Sequence, residues 1–410
     1  MKRSSASMLS LLILITLIGL MGLLFVRRSV SINTPLSSEE QSEEFAIFGV
    51  GSPLPTPIPT QDTELRLEDY EFGEPQVILR SPTSFSIVGW LPDNQRILLV
   101  QGEPKAVASY QIETFDLNTE ESIYYGRFGP MHPKVAWLEK TQKVAFIGYD
   151  GGPTYLQVSG RDASESITLI ANDVREIAAR DDLVVAMKWG VNQPVVFDSK
   201  GNAQQTPSVD LSEYEITSDQ PFLSIRPHPF DSSVAIFDPG GFVVFDLRSG
   251  AIRSFDLGED NSETISGERW AADAKWSPEG KQMALLIYVG SPPVPLTRVF
   301  ILNLESEKIT EIPLPMKFIT DLEWAPNGQH LLVGGKSDIS GDGEILLVDT
   351  VSLQHLRIEE VSKSFIYGDT GLNMKWSSDG KKLLIRCVPD ASSADAKLCL
   401  TDVKIGKGGL

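Results

Sequence analysis

The chain has two cysteines and four histidines in 410 residues, too few for a disulfide-built scaffold and little material for a His/Cys metal site. Basic residues are also scarce, 36 against 55 acidic ones for a net charge of -19. Nucleic acid is therefore not expected as a partner, because phosphate binding is carried by clustered Lys and Arg. No G-x-S-x-G elbow occurs, and His132, His228, His330 and His355 stand far apart with no Ser or Cys motif beside them. No catalytic residue is assigned on these grounds. What is present is a 41% hydrophobic composition, enough for a sizeable core and unlike a disordered chain.

Residues 8–26 form a 19-residue apolar run without a charge, with Lys2 and Arg3 before it and Arg27 and Arg28 after it. At 1.5 Å per residue it spans roughly 28 Å, the thickness of a hydrocarbon core. A cleaved signal peptide is the alternative, but its apolar region is shorter and ends in a small-x-small site that is missing here. The reading is a single-pass anchor at 8–26 after a cytoplasmic tail at 1–7. The flanking charges nearly tie, and the tie is resolved with the bulk of the chain outside the cytoplasm. Residues 27–75 then read as a stalk, Ser- and Pro-rich, with Glu39, Glu40, Glu43 and Glu44 and a PLPTPIPT stretch that favours an extended path.

From residue 76 to 410 the chain repeats. A residue that closes a short strand is followed by a polar turn and then an apolar strand. The anchors are Trp90, Trp137, Arg226, Trp276, Trp324 and Trp376, spaced 47, 89, 50, 48 and 52 residues apart. The double interval hides a drifted repeat, placed at 174–189, which makes seven units of about 48 residues. In Trp276-Ser277-Pro278-Glu279-Gly280 the proline fixes φ and the glycine relaxes the last position, as a hairpin needs. The strands that follow are continuous apolar runs, covered on both faces. A later strand in most units ends at Asp116, Asp198, Asp246, Asn303, Asp349 or Asp402.

This pattern predicts an all-β, seven-bladed β-propeller, with six or eight blades as alternatives. The last unit lacks a fourth strand, and residues 76–80 are expected to supply it and close the ring. The sequences at Trp276, Trp324 and Trp376 resemble the WD40-like repeats of TolB-type β-propellers. Similar repeats form the amino-terminal propellers of dipeptidyl peptidase IV and acylaminoacyl peptidases. The resemblance implies an extracytoplasmic, protein-binding propeller or one gating a hydrolase. The chain departs from TolB in its anchor and in lacking an amino-terminal α/β domain, and from the peptidases in lacking the hydrolase.

The d-to-a and b-to-c connections include the long ones, at 205–222, 258–271, 288–296, 361–372 and 389–396, and both classes emerge on one face. They carry much of the acidic excess, including Asp210, Glu213, Glu215, Asp219, Glu259, Asp260, Glu263, Asp338, Asp342, Asp390 and Asp395. The face reads as a docking surface for a protein or cell-envelope partner, or as an acidic solvated rim. Asp338, Ser340, Asp342 and Glu344 have the spacing of a calcium loop, with a plain hairpin turn as the alternative. Cys387 and Cys399 fall on neighbouring strands, either bridged or as two small buried residues.

The expected role is a non-catalytic, membrane-anchored binding scaffold without a cofactor. The alternatives are an envelope enzyme processing carbohydrate or peptide in the propeller channel, and a calcium or small-ligand sensor. Carboxylates and polar residues lining the channel favour the enzyme, whereas apolar filling favours the scaffold.

Overall fold

The computed structural model describes residues 65–406 apart from 84, 103–109, 129–133, 150–151, 161–167, 218–222, 263–264, 290–295, 339–340, 366–372 and 388–394, with the side chains of 127–128 and 259–268 also left aside. The proposed anchor at 8–26 lies outside these residues. Among the described residues no helix is long and apolar enough to cross a membrane.

Seven antiparallel sheets form, one for each expected unit. Blade 1 begins with strand a at Phe85–Trp90, blade 2 at Val135–Leu138, blade 3 at Val174–Arg180 and blade 4 at Ser224–Pro227. Blades 5, 6 and 7 begin at Ile265–Trp276, Phe318–Trp324 and Met374–Trp376. The first strands of successive blades lie beside one another around a common axis. Strands b and c are the apolar ones, and they pack blade on blade: Leu285 and Leu302 of blade 5 sit with Ala235 and Val244 of blade 4.

The repeat chemistry has a local cause at each position. The Asp or Asn that ends strand c caps the c-to-d turn, as when Asp246 Oδ1 accepts Arg248 N–H at 3.0 Å and Ser249 N–H at 2.6 Å. Asn303 and Asp349 do the same in blades 5 and 6. Asp402 differs, because strand c of blade 7 runs straight through it from Ala396 to Ile405. The indole N–H of the repeat tryptophan reaches back one blade: Trp276 to the Arg226 carbonyl at 2.8 Å, Trp324 to Lys275 at 2.9 Å and Trp90 to Lys375 at 3.1 Å. Trp137 and Trp376 pack without such a bond.

One alignment is corrected. Arg226 does not occupy the tryptophan position of blade 4; Pro227 does. His228 N–H bonds the Ser233 carbonyl as Ser277 N–H bonds that of Gln282 and Ala325 N–H that of His330, so Arg226 is equivalent to Lys275, Glu323 and Lys375.

The ring closes as the repeat count requires. Gln76–Ser81 pairs with the first half of Ala396–Ile405 and so provides strand d of blade 7. The closure also starts earlier than residue 76. Tyr70–Phe72 pairs with Val403–Ile405, with Gly73 N–H to the Asp402 carbonyl at 2.9 Å between the two stretches. Leu67 and Tyr70 are buried in the core of blades 6 and 7, so the end of the expected stalk belongs to the propeller.

Candidate functional site

Two regions collect polar side chains: the axis, and a cleft on the face of the long connections. At the axis, a bulge in strand a precedes Asp273 in blade 5 and Asp321 in blade 6 and re-aims both side chains. Arg226 of blade 4 donates from Nη2 to Asp273 Oδ1 at 2.7 Å, and Lys275 lies 3.9 Å from Oδ2. Lys275 and Lys375 both approach Glu323 Oε2, at 4.0 and 3.4 Å, while Lys134 meets Glu176 at 2.9 Å. Asn373 of blade 7 gives Asp321 its backbone N–H at 3.2 Å and its side-chain amide at 2.5 Å. These contacts tie the strands a of blades 4 to 7 together and join blade 2 to blade 3, and the Glu176 carboxylate acts on Arg226 of blade 4 through charge.

The charge states follow from these neighbours. Burial alone raises a carboxyl, but Lys275 and Arg226 overcome it at Asp273 and hold that group at about 2. At Asp321 burial outweighs the Asn373 hydrogen bonds and the pull of Lys375 and Lys275, and pushes the carboxyl up to about 6. Burial and the neighbouring Lys375 bring Lys275 down to about 8. At Lys375 the Glu323 carboxylate outweighs burial and raises the amine.

The cleft lies between blades 4 and 5 and has a volume of about 350 Å³. Its rim comes from Glu213 and Glu215 in the connection leading to blade 4 and from Asp256 in the connection leading to blade 5. A short 3-10 helix, Leu211–Tyr214, carries the first side of that rim and is capped by Asp210, which accepts Ser212 N–H at 3.0 Å. The floor holds Phe242, Phe255 and the turn Asp238-Pro239-Gly240-Gly241. Both glycines are needed, since a Cβ on either would overlap the carbonyl oxygen of Glu215 or Tyr214. Asp238 is buried, and its carboxylate accepts N–H from Gly240 at 2.7 Å, Thr217 at 2.9 Å and Gly241 at 3.1 Å. Burial makes it a weaker acid, raising its pKa against these three donors. The far wall is Trp270, paired across strands with Tyr288 at 4.5 Å between ring centroids, and Arg269, whose guanidinium lies 5.4 Å over Phe300. On the same face Trp189 is 44% exposed, with the Arg175 guanidinium 4.4 Å from its ring.

The residues singled out from sequence are distributed differently. Asp338 and Asp342 are exposed, Glu344 faces Arg357 at 3.7 Å, and Ser340 lies outside the described residues. Among the described residues no group of three or more His, Cys, Asp and Glu is placed to hold a metal ion. Cys387 and Cys399 are disulfide-bonded, with 6.0 Å between their Cα atoms. His228 is a turn element: Nδ1 accepts N–H from Phe230 and Asp231 at 3.1 and 2.9 Å, so Nε2 carries the proton and donates to the Gly280 carbonyl at 2.9 Å. His330 is fully buried, His355 is exposed and His132 lies outside the described residues.

Of the expected long connections, 258–271 is largely strand, its hairpin pairing Glu259–Ser262 with residues 265–268. The connection at 205–222 supplies the cleft rim, and 361–372 begins in a short helix, Glu359–Ser362. Most of 288–296 and 389–396 lies outside the described residues. The short Asp238 to Gly241 turn and the axial residues went unnoticed in the sequence. Their signals were a Gly-Gly pair and a charged residue directly before the anchors at 227, 276, 324 and 376.

No family model matches the sequence, and no curated protein matches it. Among solved structures, an oligogalacturonate lyase from Vibrio parahaemolyticus is similar at a TM-score of 0.53 and 12% identity, over 83% of this chain and 98% of that one. The β-propeller domain of Cps50 (Swd1) from Myceliophteria thermophila is similar at 0.50 and 11%, over 80% and 99%. TolB from Acinetobacter baumannii reaches 0.42 at 14% identity, over 64% of this chain and 63% of that one. The first two similarities are of the propeller fold, which the seven sheets show directly.

Proposed function

We propose that the chain is a membrane-anchored, extracytoplasmic propeller that binds a protein or cell-envelope component through its long-connection face and performs no chemistry. The observation that carries this reading is the cleft between blades 4 and 5. It is built from four separate segments of that face, its floor is fixed by the Asp238 hydrogen bonds, and its rim is acidic. A rigid scaffold presenting aromatic and charged groups on connections is the usual form of a binding surface. The anchor at 8–26 supplies the address, and the Cys387–Cys399 bond suits an oxidising compartment.

A second reading has one observation in its favour. The axis is polar, and Asp321 and Lys275 are driven toward neutrality, the kind of tuning an acid–base pair needs. Against it, Asp321 is 1% exposed, and Asp273, Glu176 and Glu323 are all neutralised by cations. A buried ion network of this kind fixes how blades meet.

The test is site-specific photo-crosslinking in cells, with the reactive group at Glu213 or Asp256 on the cleft face and at Lys140 on the opposite face of a-to-b turns. Discrete adducts from the first two positions and none from Lys140 are expected. Equal labelling from both faces overturns the binding reading. Turnover of an envelope polysaccharide or peptide that disappears in Asp321→Asn replaces it with the enzyme.

A further inference from the structure

We infer that the cleft between blades 4 and 5 recognises a single arginine or lysine side chain of a partner protein, held between the Trp270 ring and the Glu213, Glu215 and Asp256 carboxylates. This rests on the binding reading above and specifies its occupant.

Charge selects the sign. Three carboxylates surround the opening, and the one cation in the lining, Arg269, lies over Phe300 and donates from Nη1 to the Leu257 carbonyl at 3.4 Å. The chain's net charge of -19 adds long-range attraction for a basic segment.

Shape and polarity select the length. At about 350 Å³ the cleft is at the small end for ligand pockets, suited to one extended side chain and not to a folded peptide. Its floor of Phe242 and Phe255 is apolar while its rim is ionic. Arginine and lysine have that division, an aliphatic stem under a cationic head. Trp270, half-buried in the same lining, adds an aromatic wall beside the head group, and Tyr288 packs against its ring at 4.5 Å between centroids.

The same face already shows the interaction within the chain, where the Arg175 guanidinium lies 4.4 Å from the Trp189 ring. The cleft is also formed in advance. Asp238 ties together the Gly240-Gly241 floor and Thr217 of the rim connection, so an incoming side chain does not have to order them.

The experiment uses the full chain purified in detergent micelles and fluorescently labelled hexapeptides of alternating glycine and arginine, or glycine and glutamate. The arginine peptide is expected to bind with an affinity that falls with salt, and the glutamate peptide not to bind. Trp270→Ala should weaken binding roughly fivefold to tenfold, with Trp270→Phe restoring most of it. Glu213→Gln with Glu215→Gln should remove most of the salt dependence, whereas Asp342→Asn on another connection should change nothing. Equal binding of the glutamate peptide overturns the inference. So does unchanged affinity in Trp270→Ala, or lost affinity in Trp270→Phe with an unaltered melting temperature. Partner crosslinks from Glu213 that persist in Trp270→Ala, when the arginine peptide does not bind, sink the cleft inference and leave the binding face standing. Absence of crosslinks from the whole face sinks both.

Discussion

Asp273 and Asp321 occupy the same place in adjacent blades, each directly after the bulge of strand a, yet their acidities are driven apart to about 2 and about 6. Both are buried. The difference lies in the contacts: Asp273 takes a hydrogen bond from the Arg226 guanidinium with Lys275 beside it, whereas Asp321 is hydrogen-bonded by the neutral Asn373 and feels Lys375 and Lys275 through charge alone.

The two positions should respond oppositely to pH. Asp273 is depressed, so its contribution is present above the unfolded value near 3.9 and is lost as pH falls through about 2. Asp273→Asn should cost about 3 kcal/mol at pH 7, because Arg226 is left without its partner, and much less at pH 2. Asp321 is raised, so its contribution is present below the unfolded value and lost as pH rises through about 6. Asp321→Asn should therefore gain about 2 to 3 kcal/mol relative to the native chain between pH 4 and pH 8. Urea unfolding of both variants from pH 2 to pH 8 checks the opposite signs.

The closing strand is held by Tyr70, whose hydroxyl lies 3.0 Å from His330 Nδ1 and whose ring meets Trp376 edge-on at 5.9 Å. Tyr70→Ala should cost about 3 to 5 kcal/mol, and Tyr70→Phe only about 1 kcal/mol, since the ring packing survives. Burial keeps the His330 imidazole below its ordinary range against the pull of Asp349. The stability tied to its neutral form is present above the unfolded value near 6.5 and falls away as pH drops below it. His330→Asn should flatten that part of the pH profile of the unfolding midpoint.

Across the seam, Ser378 of blade 7 donates its backbone N–H to Asn94 Oδ1 of blade 1 at 3.0 Å. Asn94 has φ of 53°, where Gly280, Gly328 and Gly380 stand in other blades. Asn94→Gly should lose only the two bonds that its Oδ1 accepts from the Ser378 N–H and hydroxyl, about 1 kcal/mol at this exposed site. Asn94→Ala adds the left-handed backbone cost and should be worse by about 1 kcal/mol more. Ordered melting temperatures, native above Gly above Ala, are the check.

The Cys387–Cys399 bond closes a connection with a sequence separation of 12 in the blade that also carries the ring closure. Replacing both residues with alanine should cost about 2 to 3 kcal/mol. Reductant should lower the melting temperature of the native chain and leave the double variant unchanged. Thiol titration of the unfolded, unreduced chain from its native compartment should find no free thiol.

Much of the fold was readable because each blade repeats the same local chemistry. Tryptophan before a Pro-Gly turn, apolar strands, and Asp or Asn at the end of strand c all recur, and each is satisfied within one or two blades. The missing fourth strand of the last unit even indicated where the ring closes. Blade 4 was misaligned because Arg226-Pro227-His228 replaces the usual tryptophan and small residue, and only the His228 to Ser233 hydrogen bond fixes the register. The cleft was half visible, through the length of the connection at 205–222. Its floor was not, because the Asp238 turn is short and resembles any other polar turn.

The sequence by itself determined the repeat, the turn chemistry and the closing strand, since these depend on contacts between residues close in the repeat or required by its period, while the seven sheets decided among six, seven and eight blades. Tertiary structure alone decided which charges meet. Arg226 and Asp273 are 47 residues apart, and Asp321 and Asn373 52, so they become neighbours only when strands a gather around the axis. The cleft follows the same rule: Glu213, Asp238, Asp256 and Trp270 come from four segments that share no pattern in sequence and converge because adjacent blades pack face to face.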